Sequence, residues 1–273
     1  MRFIDRSTGQ AVIHKQAPSG LPCRCGVKPR PTHVPVHLRH PPGFKEPVGV
    51  YGGGLKFSLL HPSRGRPEAC AKAISMWYSH FSGRNKLEYI LSLDYEDAEK
   101  YADVVAGMST ESPFLCCVRT NASVVEALNN AALVATGDVL IYVSDDFECP
   151  QNWDALLAGK VGQRRDEFVV FVNDCRTPHT LQTICILSRE YYARFGYVYH
   201  PSYFSVFVDN EFTEVARRTG RVIEAFDLTF KHRHYSEKGG MPFDETYARE
   251  NSDSAYSTGR ENFERRRARN FDL

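Results

Sequence analysis

A chain of 273 residues that is 42% hydrophobic and 25% charged has apolar side chains enough for one large α/β domain or two small ones, which excludes global disorder. Its formal net charge of +1 supplies no overall field for nucleic acid or an anionic membrane, so any such affinity needs a local patch. No apolar run approaches the roughly 20 residues that span a bilayer, and no apolar signal segment opens the chain. A soluble, cytoplasmic protein without a membrane partner is expected, and its eight cysteines then read as free thiols.

In chain order, residues 1–54 form an expected extended arm. From Ala17 to Gly54 the composition is rich in proline, glycine, histidine and basic residues, with no apolar period. The arm holds Cys23, Cys25, His33, His37 and His40, but not in the paired Cys-x2-4-Cys spacing of a zinc knuckle. Order is expected from Leu55. The stretch KFSLL (Lys56 to Leu60) predicts a first strand, stopped by the turn HPSRGRP with its two prolines and glycine. Arg64 and Arg66 fall on that turn, just before a helix from Glu68 to Phe81. A basic turn at a strand's carboxyl end suits a phosphate, although an exposed turn would look the same.

LEYILSL (Leu87 to Leu93) predicts a second strand, ended by Asp94 with Asp97 close behind. An acid there can hold a base or ribose in α/β nucleotide binders, or simply cap the next helix, Ala98 to Ala106. Phe114 to Val118 is a third strand. The helix from Asn121 carries Val124, Val125, Leu128, Ala131, Ala132 and Ala135 on one face, with Gly137 as its stop. Val139 to Val143 is a short β-branched run suited to a strand buried on both faces, and it breaks off at Ser144, Asp145 and Asp146. Two carboxylates so close repel each other, and a hard divalent cation bridging to phosphate would relieve that repulsion. Strands alternating with helices imply right-handed crossovers and a mainly parallel sheet.

HPSRGRP after a strand, LSLD, and then NASVVEALNNAALVATGDVLIYVSDDFECPQNWDALL together resemble the family-2 type of nucleotide-sugar glycosyltransferases, whose domain is the GT-A fold. The likeness runs from Lys56 to Leu157 and more loosely to His234. It implies a Rossmann-like, mainly parallel mixed sheet flanked by helices, over residues 55–238. Residues 55–157 would form the nucleotide-sugar half, 158–238 the acceptor half, and 239–273 a polar tail or lid. The acidic motif departs from Asp-x-Asp, because Ser144 holds its first position. The resemblance makes Asp146 a ligand of Mn²⁺ or Mg²⁺, puts Asp145 near the ribose or sugar, and lays a nucleotide-sugar, expected to be a UDP-sugar, along Pro62, Ser63, Arg64, Arg66 and Asp94.

In the second half, EFVVFV (Glu167 to Val172) and LQTICIL (Leu181 to Leu187) predict strands, with a short helix at Ser188 to Phe195. The aromatic run GYVYHPSY, Gly196 to Tyr203, would serve as a sugar platform or as core. FVDNEFTEVARRTG, from Phe207, predicts a helix stopped at Gly220. The resemblance places the general base of an inverting transfer at its start, at Glu211, with Asp209 as the rival or as a cap. A strand near Val222 to Phe230 leads into KHRHYS, where His234, or else His232, would be a further metal ligand. Asp244 and Tyr247 are expected over the donor. Arg265, Arg266, Arg267 and Arg269 form either a solvated helix end or a patch for DNA phosphates, which makes a hydroxylated DNA base one candidate acceptor beside a glycan, a protein side chain or a small molecule.

Two other classes remain. A sugar nucleotidyltransferase would want a glycine-rich turn with a lysine after the first strand, whereas this turn has only Gly65 and no lysine. A non-catalytic nucleotide-sugar or glycan-binding module would not need Asp146, Glu211 and His234 together.

Overall fold

The computed structural model describes residues 3–4, 11–12, 54–108, 113–177 and 179–273. Met1–Pro47 and Val48–Leu273 are separate units. In the first, β1 (Phe3–Ile4) pairs antiparallel with β2 (Ala11–Val12). Cys23, Cys25 and the three arm histidines lie outside the described residues.

The second unit is built on a seven-stranded sheet. Its strands are β3 (Lys56–Ser63), β4 (Lys86–Asp94), β5 (Phe114–Arg119), β6 (Val139–Tyr142), β8 (Val169–Asn173), β9 (Ile186–Ser188) and β10 (Val222–Thr229), and they lie in the order β10-β8-β9-β6-β3-β4-β5. All neighbours are parallel except β9, which runs antiparallel to both β6 and β8. The mainly parallel sheet expected from the alternation is therefore present, and β9 makes it mixed, as the family resemblance implies. A small antiparallel pair, β7 (Phe147–Glu148) with β11 (Lys231–His232), sits at the carboxyl end of β6.

Alternation along the strands feeds two cores, because successive side chains point to opposite faces. Phe57, Leu59, Tyr89, Leu91, Val139 and Ile141 enter one core. There they meet α1 (Pro67–Ser79) and α4 (Trp153–Val161) through Ile74, Trp77, Trp153 and Leu157. Leu60, Ile90 and Leu140 enter the other, against Val125 and Leu128 of α3 (Val124–Ala132) and Phe212 and Val215 of α6 (Val208–Arg218). Both faces being covered explains why these strands read as near-continuous apolar runs. Trp153 locks α4 onto α1 by donating its indole N–H to the carbonyl of Trp77 at 3.0 Å, with the two rings edge to face.

Several boundaries differ from the sequence reading. β3 does not stop at Leu60 but runs through His61 and Pro62 to Ser63. β6 pairs with β3 only as far as Leu60, so on that side Pro62 faces no ladder that would need an N–H. Ser123, not Asn121, caps α3, accepting the amide of Glu126 at 3.1 Å. Gly137 does not end that helix. A Cβ there would meet the Lys56 carbonyl oxygen and the Ser58 amide at 2.8 Å, so glycine allows the incoming chain to lie against β3. Of the stretch Leu181 to Leu187, only the last two residues are strand. The aromatic run is core: Tyr199 and Tyr203 are buried among Phe212 and Tyr191.

Candidate active site

The carboxyl ends of β3, β4 and β6, the start of α6 and the C-terminal segment enclose a cleft of about 380 Å³. Pro62, Ser63, Arg64, Arg66, Asp94, Asp145, Asp146, Asp209, His232 and His234 all line it. An open α/β sheet offers its crevice at this edge, where connections leave the strands in opposite directions.

Asp145 is held in place from below. It accepts Ser63 Oγ at 2.9 and 3.0 Å and lies 3.0 Å from His61 Nε2. The other nitrogen of His61 meets the Tyr89 hydroxyl at 2.7 Å. Asp146 faces the C-terminal segment. Its Oδ2 accepts the Tyr247 hydroxyl at 2.6 Å and His232 Nε2 at 3.1 Å. Burial alone would lift this carboxyl, but the hydrogen bonds from His232 and Tyr247 outweigh it and hold it far below the usual carboxylate range.

These bonds leave a donor set for a cation. Asp146 Oδ1 and His232 Nδ1 are buried and have no hydrogen-bond partner among the described residues. Because Asp146 accepts from Nε2, that nitrogen carries the hydrogen, and a neutral His232 keeps its lone pair on Nδ1. The His234 ring lies 5.3 Å from that of His232, centre to centre. Burial, with Arg176 and His232 beside it, pushes His234 down to about 4, which leaves it a neutral imidazole. A tighter group, with ligand atoms all within 4.8 Å of one another, is His61, Cys70 and Asp145. It suits a cation less well. Both His61 nitrogens are already engaged, and burial raises the Cys70 thiol far above its ordinary value, which keeps it protonated.

The basic turn is likewise anchored. Arg64 pairs with Asp94, and Asp94 also accepts Asn121 Nδ2 at 2.8 Å. Gly65, at φ +69°, directs its amide to the Asp97 carboxylate, so Asp97 braces this turn and makes no side-chain cap bond. Arg66 binds Asp244 through two bonds of 2.6 Å and lies 4.0 Å from the centre of the Tyr247 ring. The residues expected over the donor, Asp244 and Tyr247, thus contact Arg66 and Asp146. Both belong to the segment of α7 (Glu245–Glu250).

Asp209 is the second residue of α6 and faces the cleft. It does not cap the helix. The N-cap position belongs to Phe207, whose φ of +66° is unusual for a residue with a Cβ and marks local strain. Burial raises the Asp209 carboxyl above the ordinary range, an effect that the amide of Asn210, donating at 3.0 Å, only partly offsets.

No family model and no curated relative matches the sequence. Solved structures do match the architecture. S. aureus TarS, residues 1-349, superposes with a TM-score of 0.52 at 12% identity, over 65% of this chain and 60% of that one. The same protein in complex with UDP-GlcNAc gives 0.52 at 12% identity, over 71% and 64%. The mannosyltransferase PcManGT from Pyrobaculum calidifontis, in complex with GDP-Man and Mn²⁺, gives 0.51 at 15% identity, over 66% and 57%. This chain has a GT-A-like fold. It spans roughly 60% of the length of those chains.

Within this GT-A-like domain, Glu211 does not reach the cleft. Two residues along a helix rotate a side chain by about 200°, so Glu211 faces away from Asp209. Its oxygens accept Arg266 at 2.7 and 2.8 Å and the Tyr203 hydroxyl at 2.8 Å. The ion pair lies between α6 and α8 (Asp253–Ala268), with both side chains about 95% buried. Arg267 pairs with Glu214, Arg269 with Asp272, and Arg265 donates to Asn262. Arg266 therefore serves the packing of α8 on α6, and its three neighbours each have a partner within the chain. Breaking a buried pair strands the remaining charge, so Glu211→Ala is expected to destabilise the domain by about 3–5 kcal/mol in urea unfolding, with Glu211→Ala/Arg266→Met recovering most of that loss.

The sequence reading missed Asn121 as the partner of Asp94, His61 as the support of Asp145, and the cleft-lining Glu250. His61 and Asn121 stood inside the motifs, but their partners lie 84 and 27 residues away. Among the described residues, no helix is long and apolar enough to cross a membrane.

Proposed function

We propose that this domain transfers a sugar from a nucleotide-sugar to an acceptor hydroxyl with inversion, and that Asp209, not Glu211, is the base. One observation carries the reading. A half-buried carboxylate of raised pKa opens α6 onto the same cleft as Asp145, Asp146 and Arg64, where basic and acidic groups needed for a nucleoside diphosphate converge. The fold supports it, since TarS is described with UDP and UDP-GlcNAc, and PcManGT with GDP-Man and Mn²⁺.

Asp209 takes the proton of the acceptor hydroxyl as the hydroxyl oxygen attacks the anomeric carbon and the bond from that carbon to the diphosphate oxygen breaks. A carboxylate desolvated in the cleft is a stronger base than one in water, which is what this step requires. Arg64 and Arg66 donate charge-assisted hydrogen bonds to the departing diphosphate. Asp145, fixed by Ser63 and His61, accepts hydroxyls of the ribose or sugar. Asp146, His232 and His234 would hold a divalent cation, which would neutralise charge on the leaving phosphate. The acceptor is a hydroxyl compound small or extended enough to reach Asp209. A DNA acceptor is not favoured, since Arg266 is buried and Arg267 and Arg269 are paired with Glu214 and Asp272.

The test is release of nucleoside diphosphate from a panel of UDP-, GDP- and other nucleotide-sugars with Mn²⁺ or Mg²⁺. Release from at least one donor, even at the slow rate of hydrolysis without acceptor, is expected. Binding of a donor without any release would instead identify a non-catalytic module, and pyrophosphate exchange would identify a nucleotidyltransferase.

A further inference from the structure

One carboxylate of the cleft has no part in the chemistry above. Glu250 closes α7 with its side chain 15% exposed, and its Oε2 is buried with no hydrogen-bond partner among the described residues. The charged and titratable groups around it come from four elements. Arg249 on its own helix is 3.6 Å away, Arg64 lies on the turn after β3, Asp94 ends β4, and Tyr142 ends β6. Ser205, in the loop before α6, donates to the Glu250 carbonyl at 2.7 Å and fixes this end of the helix. Burial lifts the carboxyl to about 7 against the pull of Arg249, Arg64 and the nearby Ser205 hydroxyl, with Asp94 adding to the rise.

An unpartnered carboxyl oxygen in a polar cleft is costly unless a ligand completes it. An ionised Glu250 beside Asp94 would repel a diphosphate, whereas a protonated one offers an O–H donor. We propose that Glu250 binds the nucleoside diphosphate part of the donor in its protonated form, its carboxyl donating one hydrogen bond, so that the cleft takes up a proton as nucleotide binds. The proposal rests on the donor reading of the cleft given above. It makes Glu250 a positioning and recognition group on the leaving side, distinct from Asp209 on the acceptor side.

The experiment is calorimetric titration of UDP and of GDP, with excess Mn²⁺, into the full chain and into Glu250→Gln. It is run at pH 7.5 in two buffers of different ionisation enthalpy, and then from pH 6 to pH 8. Gln keeps the shape and a hydrogen-bond donor but cannot titrate, and equal melting temperatures would show that both proteins are folded. The wild type is expected to take up more protons than Glu250→Gln and to lose roughly tenfold more affinity than the variant between pH 6 and pH 8, the change in protonated fraction of a group titrating near 7. Equal proton uptake and equal pH dependence in the two proteins would overturn the role of Glu250 while leaving the donor site standing. Absence of nucleotide binding to both would overturn the donor reading, and the proposal with it.

Discussion

Asp209→Asn is expected to lower kcat by roughly 10²- to 10⁴-fold, the usual worth of a positioned base, while donor affinity changes little. Asn is isosteric and still accepts the Asn210 amide, so the start of α6 should keep its form. The pH profile sharpens the test. A base must be unprotonated to act, and Asp209 holds its proton to a higher pH than a free carboxylate. Wild-type kcat should therefore rise with pH along a limb displaced above the ordinary Asp range, and that limb should vanish in Asp209→Asn. Glu211→Gln is the contrast. Its effect should appear in unfolding, because Glu211 is paired with Arg266 and lies outside the cleft. A large kcat loss in folded Glu211→Gln with activity intact in Asp209→Asn would return the base to Glu211. A product that retains anomeric configuration, seen by proton NMR, would remove the base role from both.

The second large effect is expected at Asp146. Because it accepts from both Tyr247 and His232, truncation to Ala would leave two buried donors without a partner and cost about 1–3 kcal/mol of stability. Asp146→Asn is the cleaner variant, since it keeps an acceptor for Tyr247 and removes only the charge. Turnover should fall by about 10³-fold or more, equivalent to roughly 4 kcal/mol, with little change in melting temperature. Chelation of the wild type should produce the same loss, and readdition of Mn²⁺ or Mg²⁺ should restore the wild type alone. Full activity in chelator would refute a cation at Asp146, His232 and His234.

The sheet was legible because its strands are apolar on both faces and its helices carry single apolar stripes. Val139 to Tyr142 and Lys86 to Asp94 could scarcely be read otherwise. The strand-end acids were legible for the same reason, since an abrupt change from Val143 to Ser144, Asp145 and Asp146 is a local signal. Choosing between Asp209 and Glu211 was not local. It depended on the phase of α6 against the cleft and on an arginine 55 residues further along, which a sequence window does not contain. Glu250 left no signal at all, for it is an ordinary acid near the end of a polar helix until tertiary burial removes its water. Pro62 misled in the opposite direction: a residue that usually stops a strand is tolerated where β6, on one side, has already ended while β4 still runs alongside on the other.

The bonds from Asp244 to Arg66 and from Tyr247 to Asp146 span 178 and 101 residues of chain. Closing loops of that length carries an entropy cost that only an already assembled sheet can offset. On the ribosome, β3 to β6 are made long before the residues that meet their carboxyl ends. The edge of the sheet that holds the acids consequently acquires these neighbours only after its strands have been made. Shortening the chain from its C-terminus should first remove α8 and the partner of Glu211, and only then the residues that wall the cleft.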